Sequence, residues 1–341
     1  MAENVNVMDQ IVAALRQDGV AHYPGRGELR NVRVVGHTPK SDHYIYDIVI
    51  DFAEGSERVA AKVYRAGKSG PGVARSMAQI EADNLRTVHD VFSRKKLSGV
   101  PRPLGDFSEI GAVVAEKLPG VPLQSIIMKA ALLPGYADLG TLRESARATG
   151  DWLHRFHKAT ADMPAPFDGT ALLGDLEKLC ANCRTSGLDE ASVRTILSGT
   201  KSILARSKKA LPCSIVLNDF TPLNVVVGEN GIGFSEFAKM TRRGNSFHDV
   251  ALFLASVEAL EKYPFCNRAI TGELQDQFLE AYGISQQDEQ VLRVLKMKAL
   301  LSMFAQGRGV KESAVRKKVM WATVMKRFIA QAAERSLSPA A

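Results

Sequence analysis

Three groups of side chains in this 341-residue chain have types and spacings that could do chemistry. Lys62 stands inside the apolar run Val59 to Tyr64. A lysine there is costly to bury unless it is paired, and Glu81, further along the chain on a helical stretch, is an available partner. Asp219 and Asn224 flank four residues just ahead of Val225-Val226-Val227, with Pro222 stiffening the stretch between them. That Asp can receive a hydroxyl proton, and that Asn amide oxygen can hold a magnesium ion. Glu236 follows the turn signal Gly228-Glu229-Asn230-Gly231, an Asn-Gly hairpin signature. The hairpin is expected to return Glu236 beside Asn224, giving the two oxygen ligands that suit a hard divalent cation.

Each group alone has an ordinary reading. A lone strand lysine is more often an edge residue, an Asx-rich stretch makes turns, and a single glutamate is usually surface. Cys180 and Cys183 have a metal-like spacing, but no second Cys or His pair lies nearby. His154 and His157, at helical spacing with Leu153 and Phe156, read as helix-packing residues.

The elements that must position these residues follow from the hydrophobic period. Helical spacing runs from Val7 to Arg16. Period-two runs then predict a meander of three strands: Val32 to Val35, Tyr44 to Phe52 and Val59 to Tyr64. A helix is expected from about Ser76 to Phe92, and strands at Leu97 to Phe107 and Gly111 to Leu118. Pro119-Gly120-Val121-Pro122 breaks the pattern. Beyond it the chain reads as helical to the end, apart from a strand-rich island from Ser214 to Phe237. The fold class is α+β: a small sheet with one helix, residues 1–118, then a larger helical lobe, residues 119–341.

Composition fits a globular protein, with 45% apolar and 24% charged residues. No apolar run is long enough to span a membrane, the N-terminus has no secretory pattern, and four cysteines do not make a disulfide framework. A reducing, cytoplasmic setting is expected. The net charge of +7 permits anionic partners without pointing to nucleic acid. Part of the excess lies between Lys311 and Arg327, read as the solvent face of a terminal helix whose buried face is Val315, Val319, Ala322, Met325 and Ile329. A membrane or glycolipid surface is the alternative for that run.

Taken together and in order, Lys62, Glu81, Asp219-x-x-x-x-Asn224 and Glu236 resemble the aminoglycoside phosphotransferase and choline kinase-like family, which shares the protein-kinase fold. The resemblance covers nearly the whole chain. It implies a bilobal fold in which Val59 to Val63 carries the nucleotide lysine and Glu81 is its helix partner. Val114-Ala115-Glu116-Lys117-Leu118 looks like a hinge whose backbone binds adenine, placing Glu116 and Leu118 at the nucleotide. Gly150 to His157 is similar to the family's helix ending in Leu-x-x-His, and Gly244 to Ala251 to the stretch whose Asp supports the catalytic loop.

There are departures. The family's His-Gly-Asp is Leu217-Asn218-Asp219 here, with Leu217 able to fill the apolar place of that His. The family's metal-binding Asp is Glu236. The nucleotide loop Gly36 to His43 has one glycine, which leaves Ser41 or Lys40 to compensate for a poorer backbone phosphate cradle.

The resemblance implies phosphoryl transfer from ATP or GTP, with Mg2+, to a hydroxyl of a small molecule such as a sugar, an amino sugar, an aminoglycoside-like or a glycolipid-linked acceptor. Asp219 is the base, Asn224 and Glu236 the metal ligands, and Lys62, Glu81, Ser41, Glu116 and Leu118 the nucleotide site. The alternative is a pseudokinase scaffold that binds nucleotide without transfer. A kinase acting on protein is disfavoured, because no Ala-Pro-Glu motif and no long activation segment follow Glu236.

Overall fold

A computed structural model describes residues 6–67, 70–132, 138–185, 187–207, 210–263, 266–309 and 321–337. By its contacts the chain divides into two compact units. One is 1–120 together with 233–239, and the other is 121–232 together with 240–341. The segment 233–239, which the sequence reading leaves in the second lobe, therefore packs with the first.

The first unit begins with helix α1 (Val7–His22), capped by the Asn6 side chain, which accepts from the Met8 N–H. Strands β1 (Leu29–Pro39), β2 (His43–Phe52) and β3 (Gly55–Tyr64) form the expected meander. After α2 (Pro71–Lys95) come β4 (Pro103–Phe107) and β5 (Ala112–Glu116). The five strands make one antiparallel sheet in the order β1-β2-β3-β5-β4. The strand expected from Leu97 starts only at Pro103. Ile11 and Leu15 of α1 join Val32, Ile48, Ile50, Val59, Ala61 and Val114 in one buried cluster, so α1 covers one face of the sheet. Lys62 belongs to the opposite face, since neighbours along a strand alternate.

The second unit begins with the short strand β6 (Val121–Pro122) and helices α3 (Leu123–Leu132) and α4 (Leu139–Ala159). β7 (Asp162–Pro166), α5 (Gly169–Arg184), α6 (Glu190–Leu204) and β8 (Ala210–Val216) follow. Then come β9 (Val225–Gly228), β10 (Gly231–Phe234), whose last two residues pass into the first unit, and β11 (Thr241–Asn245). Helices α7 (Phe247–Glu258), α8 (Arg268–Tyr282), α9 (Gln286–Gly309) and α10 (Lys326–Leu337) complete it. The small sheet β11-β8-β7 is an addition to the sequence reading. Its outer strands are polar or proline-bearing and flank the apolar β8, a place where proline is tolerated because an edge strand has a free N–H side.

The core of this unit is aromatic. Trp152 stacks on Phe156 and on Phe220, Phe220 meets Phe253, and Phe253 stacks on Phe278 at 4.2 Å between ring centroids. Gly150 lets α4 and α8 approach: a Cβ there would lie 2.3 Å from the Phe278 carbonyl oxygen. Most of the basic run from Lys311 to Arg327, with Val315 and Val319, lies outside the described residues. Met325 and Ile329, assigned to its buried face, are buried.

Candidate functional site

In the first unit the site is built around Lys62. Its residue is 9% exposed. The ammonium lies 2.5 Å from Glu81 Oε1 and 3.0 Å from Glu236 Oε2, and donates to the Ser235 carbonyl at 2.8 Å. Burial pulls the Lys62 pKa down, but Glu81 and then Glu236 outweigh it and hold the group above the ordinary lysine range. Glu81 is 2% exposed, and its second oxygen accepts from the Tyr64 hydroxyl. Tyr64 sits two residues after Lys62 on the same strand face, where burial and then Glu81 push its phenol well above the usual range. Spacing signalled the Lys62–Glu81 pair in the sequence, whereas the place of Tyr64 depends on which face of β3 meets α2.

Glu236 reaches Lys62 because the segment 233–239 is tied into this unit. The Phe234 N–H donates to the Gly99 carbonyl at 2.9 Å, and Asn84 Nδ2 donates to the Phe237 carbonyl at 2.8 Å. Gly233 permits this approach, for a Cβ there would lie 2.6 Å from Leu118 Cδ1. The hairpin before it differs from the two-residue mirror-image turn that Asn-Gly suggests. Among non-glycine residues described, only Lys96 and Asn218 have positive φ, so Glu229 and Asn230 do not, and Gly231 takes φ +101° as the first residue of β10.

The remaining nucleotide-site candidates are spread along the same unit. In the predicted hinge, the Glu116 N–H donates to the Arg102 carbonyl and the Lys117 N–H to the Arg58 carbonyl. The Glu116 side chain is ion-paired with Arg102 at 2.7 Å. The Ser41 hydroxyl turns to Asp42 at 3.3 Å, and Asp42 also pairs with His43. Ser41 is thus engaged by its neighbour between β1 and β2.

In the second unit the site is the loop from Leu217 to Asn224. Leu217 is fully buried, in keeping with an apolar residue at that place. Asn218 has φ +58°. This left-handed conformation favours Gly and, among side chains, Asn, which explains how Asn replaces the family's Gly here. Asp249, fully buried, accepts the Leu217 N–H on Oδ2 and the Asn218 N–H on Oδ1, both at 2.8 Å. The next residue is Asp219. Asn224 Nδ2 donates to the Asp219 carbonyl at 3.0 Å, which closes the loop and leaves the amide oxygen as the group that could serve a cation.

Behind Asp249 lies a relay that helical spacing did not reveal. His157 places Nε2 3.1 Å from Asp249 Oδ2 and Nδ1 2.8 Å from the Tyr282 hydroxyl. His154 Nδ1 meets the Tyr282 carbonyl at 2.9 Å. Both histidines pack α4 against Tyr282 at the end of α8, and His157 also positions the loop support. Burial and then Asp249 hold the Tyr282 phenol above its ordinary range.

Beside the loop is a cavity of about 280 Å³, lined by Asn218, His248, Leu252, Leu295, Lys298 and Ser302 among others. Its described lining holds a lysine and a histidine and no carboxylate. A larger cavity of about 380 Å³ lies at the other end of α7. Glu258 in its wall is nine residues from Asp249, about 13 Å along a helix. Its buried Glu258 is paired with Lys296 at 2.6 Å and Arg335 at 3.0 Å, which makes it a tie between helices α7, α9 and α10.

Among the described residues no group of three or more His, Cys, Asp or Glu side chains is arranged to hold a metal, and Cys180 and Cys183 are buried free thiols. No helix among them is long and apolar enough to cross a membrane.

No protein-family model and no curated protein matches the chain. Solved structures do. A glucosamine kinase in complex with glucosamine, ADP and inorganic phosphate is 16% identical, with 96% of this chain and 98% of that chain covered and a TM-score of 0.52. A choline kinase from Cryptosporidium parvum is 11% identical, with 96% of each chain covered and a TM-score of 0.56. A putative aminoglycoside phosphotransferase from Ralstonia eutropha is 14% identical, with 96% and 98% covered and a TM-score of 0.57. Over almost its whole length, the chain has the protein-kinase-like fold of these small-molecule kinases.

Proposed function

We propose that this protein is a phosphotransferase that moves the γ-phosphoryl group of a nucleoside triphosphate to a hydroxyl of a small molecule. The observation that carries the reading is Asp249, a buried carboxylate that spends its two oxygens on two consecutive backbone N–H groups immediately before Asp219. Such a device holds one carboxylate, Asp219, in a fixed place. Catalysis of phosphoryl transfer is mostly positioning and electrostatics.

In this reading Lys62, steadied by Glu81, contacts the α/β-phosphates. The backbone at Glu116 and Leu118 meets the base. Asn224 and Glu236 are the oxygen ligands for magnesium, which neutralises phosphate charge when bound. The residues fit that role in type: an amide oxygen left over by its own nitrogen's hydrogen bond, and a carboxylate already facing a cation. The acceptor oxygen forms a bond to phosphorus, the bond from phosphorus to the diphosphate oxygen breaks, and the hydroxyl proton passes to Asp219. The acceptor lies in the cavity lined by Asn218. No carboxylate is in its described lining, and its Lys298 is already paired with Asp175 at 2.7 Å, so that cavity suits a hydroxyl-rich neutral compound better than a polycation.

The test is phosphoryl transfer from ATP across a panel of hydroxyl acceptors, with wild type and Asp219→Asn side by side. The expected loss on substitution is in turnover, roughly 10²–10⁴-fold for a general base, with nucleotide binding nearly intact. Equal turnover in the two forms would reject Asp219. Thermal stabilisation by ATP and magnesium with no transfer to any acceptor would favour the pseudokinase scaffold.

A further inference from the structure

The sheet face that carries Lys62 also carries an ion cluster at the place where a nucleobase would rest. Paired residues of an antiparallel ladder share a face, as do residues two apart along a strand. Lys62 pairs with Ile45 and Val113, so the next row on its face is Asp47, Ala60 and Ala115, with Gly36 opposite Asp47 on β1. Three of these four are Gly or Ala. The fourth is Asp47, and its Oδ2 is ion-paired with Lys117 at 2.7 Å and with Arg58. Lys117 lies in the predicted hinge. Asp47 Oδ1 is shut off from solvent and has no hydrogen-bond partner among the described residues.

A base laid against hydrocarbon gains from apolar burial, and the gain grows with ring size, so it favours purines. A charged carboxylate in that row removes much of the gain, because covering an ion pair costs desolvation. The unpartnered Oδ1, once a rotation of the Asp47 side chain turns it to the base, offers something else: it accepts an N–H. Adenine, guanine and cytosine all carry an exocyclic amine, so such an acceptor does not tell them apart.

We propose that Asp47 makes the donor site tolerant of the nucleobase, so that ATP, GTP and CTP all serve as donors and affinity comes chiefly from the phosphates at Lys62. This inference rests on the reading of the first unit as a nucleotide site. It assigns Asp47 as a specificity-determining residue.

The experiment measures dissociation constants of the full chain for ATP, GTP, CTP and inorganic tripolyphosphate, with magnesium, in wild type and in Asp47→Val. In wild type the three nucleotides should bind within about threefold of one another, a spread below the tenfold that corresponds to 1.4 kcal/mol. In Asp47→Val, which supplies hydrocarbon and leaves the exposed Arg58 and Lys117 to water, ATP should tighten and CTP should not. The ratio should open to about tenfold, the effect of burying one or two more methylene-sized contacts. Tripolyphosphate affinity should be unchanged. ATP binding tenfold or more tighter than CTP in wild type would overturn the proposal while leaving the nucleotide site standing, and needs no variant to read. An unchanged ratio in a folded Asp47→Val protein would also overturn it. Failure of all three nucleotides and of tripolyphosphate to bind would overturn the donor-site reading itself, and this inference with it.

Discussion

Replacing Asp249 with asparagine tests the geometry of the loop directly. The wild-type carboxylate takes three hydrogen bonds: two from backbone N–H groups at 2.8 Å and one from His157 Nε2 at 3.1 Å. Asparagine keeps one acceptor oxygen and turns an NH2 group toward at least one of those donors. One or two buried donors are then orphaned, each costing about 1–3 kcal/mol, and the bond that remains loses its charge assistance. The expected loss is about 2–5 kcal/mol, against a total of about 5–15 kcal/mol for a typical domain. In urea, with a slope of about 1–3 kcal/mol/M, the midpoint should fall by at least about 0.7 M.

Helical circular dichroism during urea unfolding reads this, and a second substitution isolates the relay. His157→Leu removes the third donor, so its cost should overlap with that of Asp249→Asn, with a coupling of about 0.5 kcal/mol or more in the double mutant. A midpoint shift under about 0.3 M for Asp249→Asn, or strict additivity with His157→Leu, would refute the claim that Asp249 holds the loop through these bonds.

Three further outcomes follow from the site and its surroundings. Magnesium should strengthen nucleotide binding, with Glu236→Gln abolishing the enhancement and Glu236→Asp keeping it; calorimetric titration with and without the ion checks this, and an enhancement that survives in Glu236→Gln would exclude the ligand role. Burial pushes the Cys180 and Cys183 thiols up to about 11, so a thiol reagent at pH 8 should label them only after denaturation; fast labelling of either in the folded state would contradict the packing. The same shift has a sign for stability: the neutral thiols favour folding below about pH 8.5, the ordinary cysteine value, and that contribution is lost as pH rises toward about 11, so Cys180→Ser should change the steepness of alkaline unfolding and leave the acid limb alone.

Most of the first unit was legible, because its elements announce themselves locally. The alternation from Tyr44 to Phe52 has a single reading; the helix α2 reads as plainly, with Leu85, Val88 and Phe92 on its buried face, although Ile80, which helical spacing puts with them, is exposed. Lys62 was legible as a paired group because an apolar strand cannot bury a lone cation. Its second partner was not. Glu236 was placed beside Asn224 from the hairpin alone, and what brings it to Lys62 is Asn84 Nδ2 on the Phe237 carbonyl, a bond across 153 positions that no local pattern encodes. The strand β7, Asp162-Met163-Pro164-Ala165-Pro166, has two prolines and no alternation, and it is defined by its pairing with β8, a long-range partner that no local pattern announces. His157 reads as a packing residue at helical spacing. Only the fold shows that its two ring nitrogens lie between Asp249 and Tyr282.

The departures at Leu217, Asn218 and Glu236 bear on whether the chain is an enzyme or a relic, and energetics helps to decide. Asn218 replaces glycine at φ +58° with the side chain that best tolerates it, and Leu217 is buried without a polar atom to satisfy. Neither change damages the loop. The costly groups point the same way. Lys62, Glu81 and Asp249 are buried charged residues, and hydrocarbon of similar volume at such positions is often neutral or stabilising. A scaffold selected only for folding does not require them. Each is instead held by more than one partner: Lys62 by Glu81, Glu236 and the Ser235 carbonyl, Glu81 by Lys62 and Tyr64, Asp249 by two backbone N–H groups and His157. Fold stability alone does not account for so many bonds around a cation in one unit and a carboxylate in the other. Fixing the positions of the Lys62 ammonium and of the Asp219 carboxylate, as the proposed function requires, does account for them.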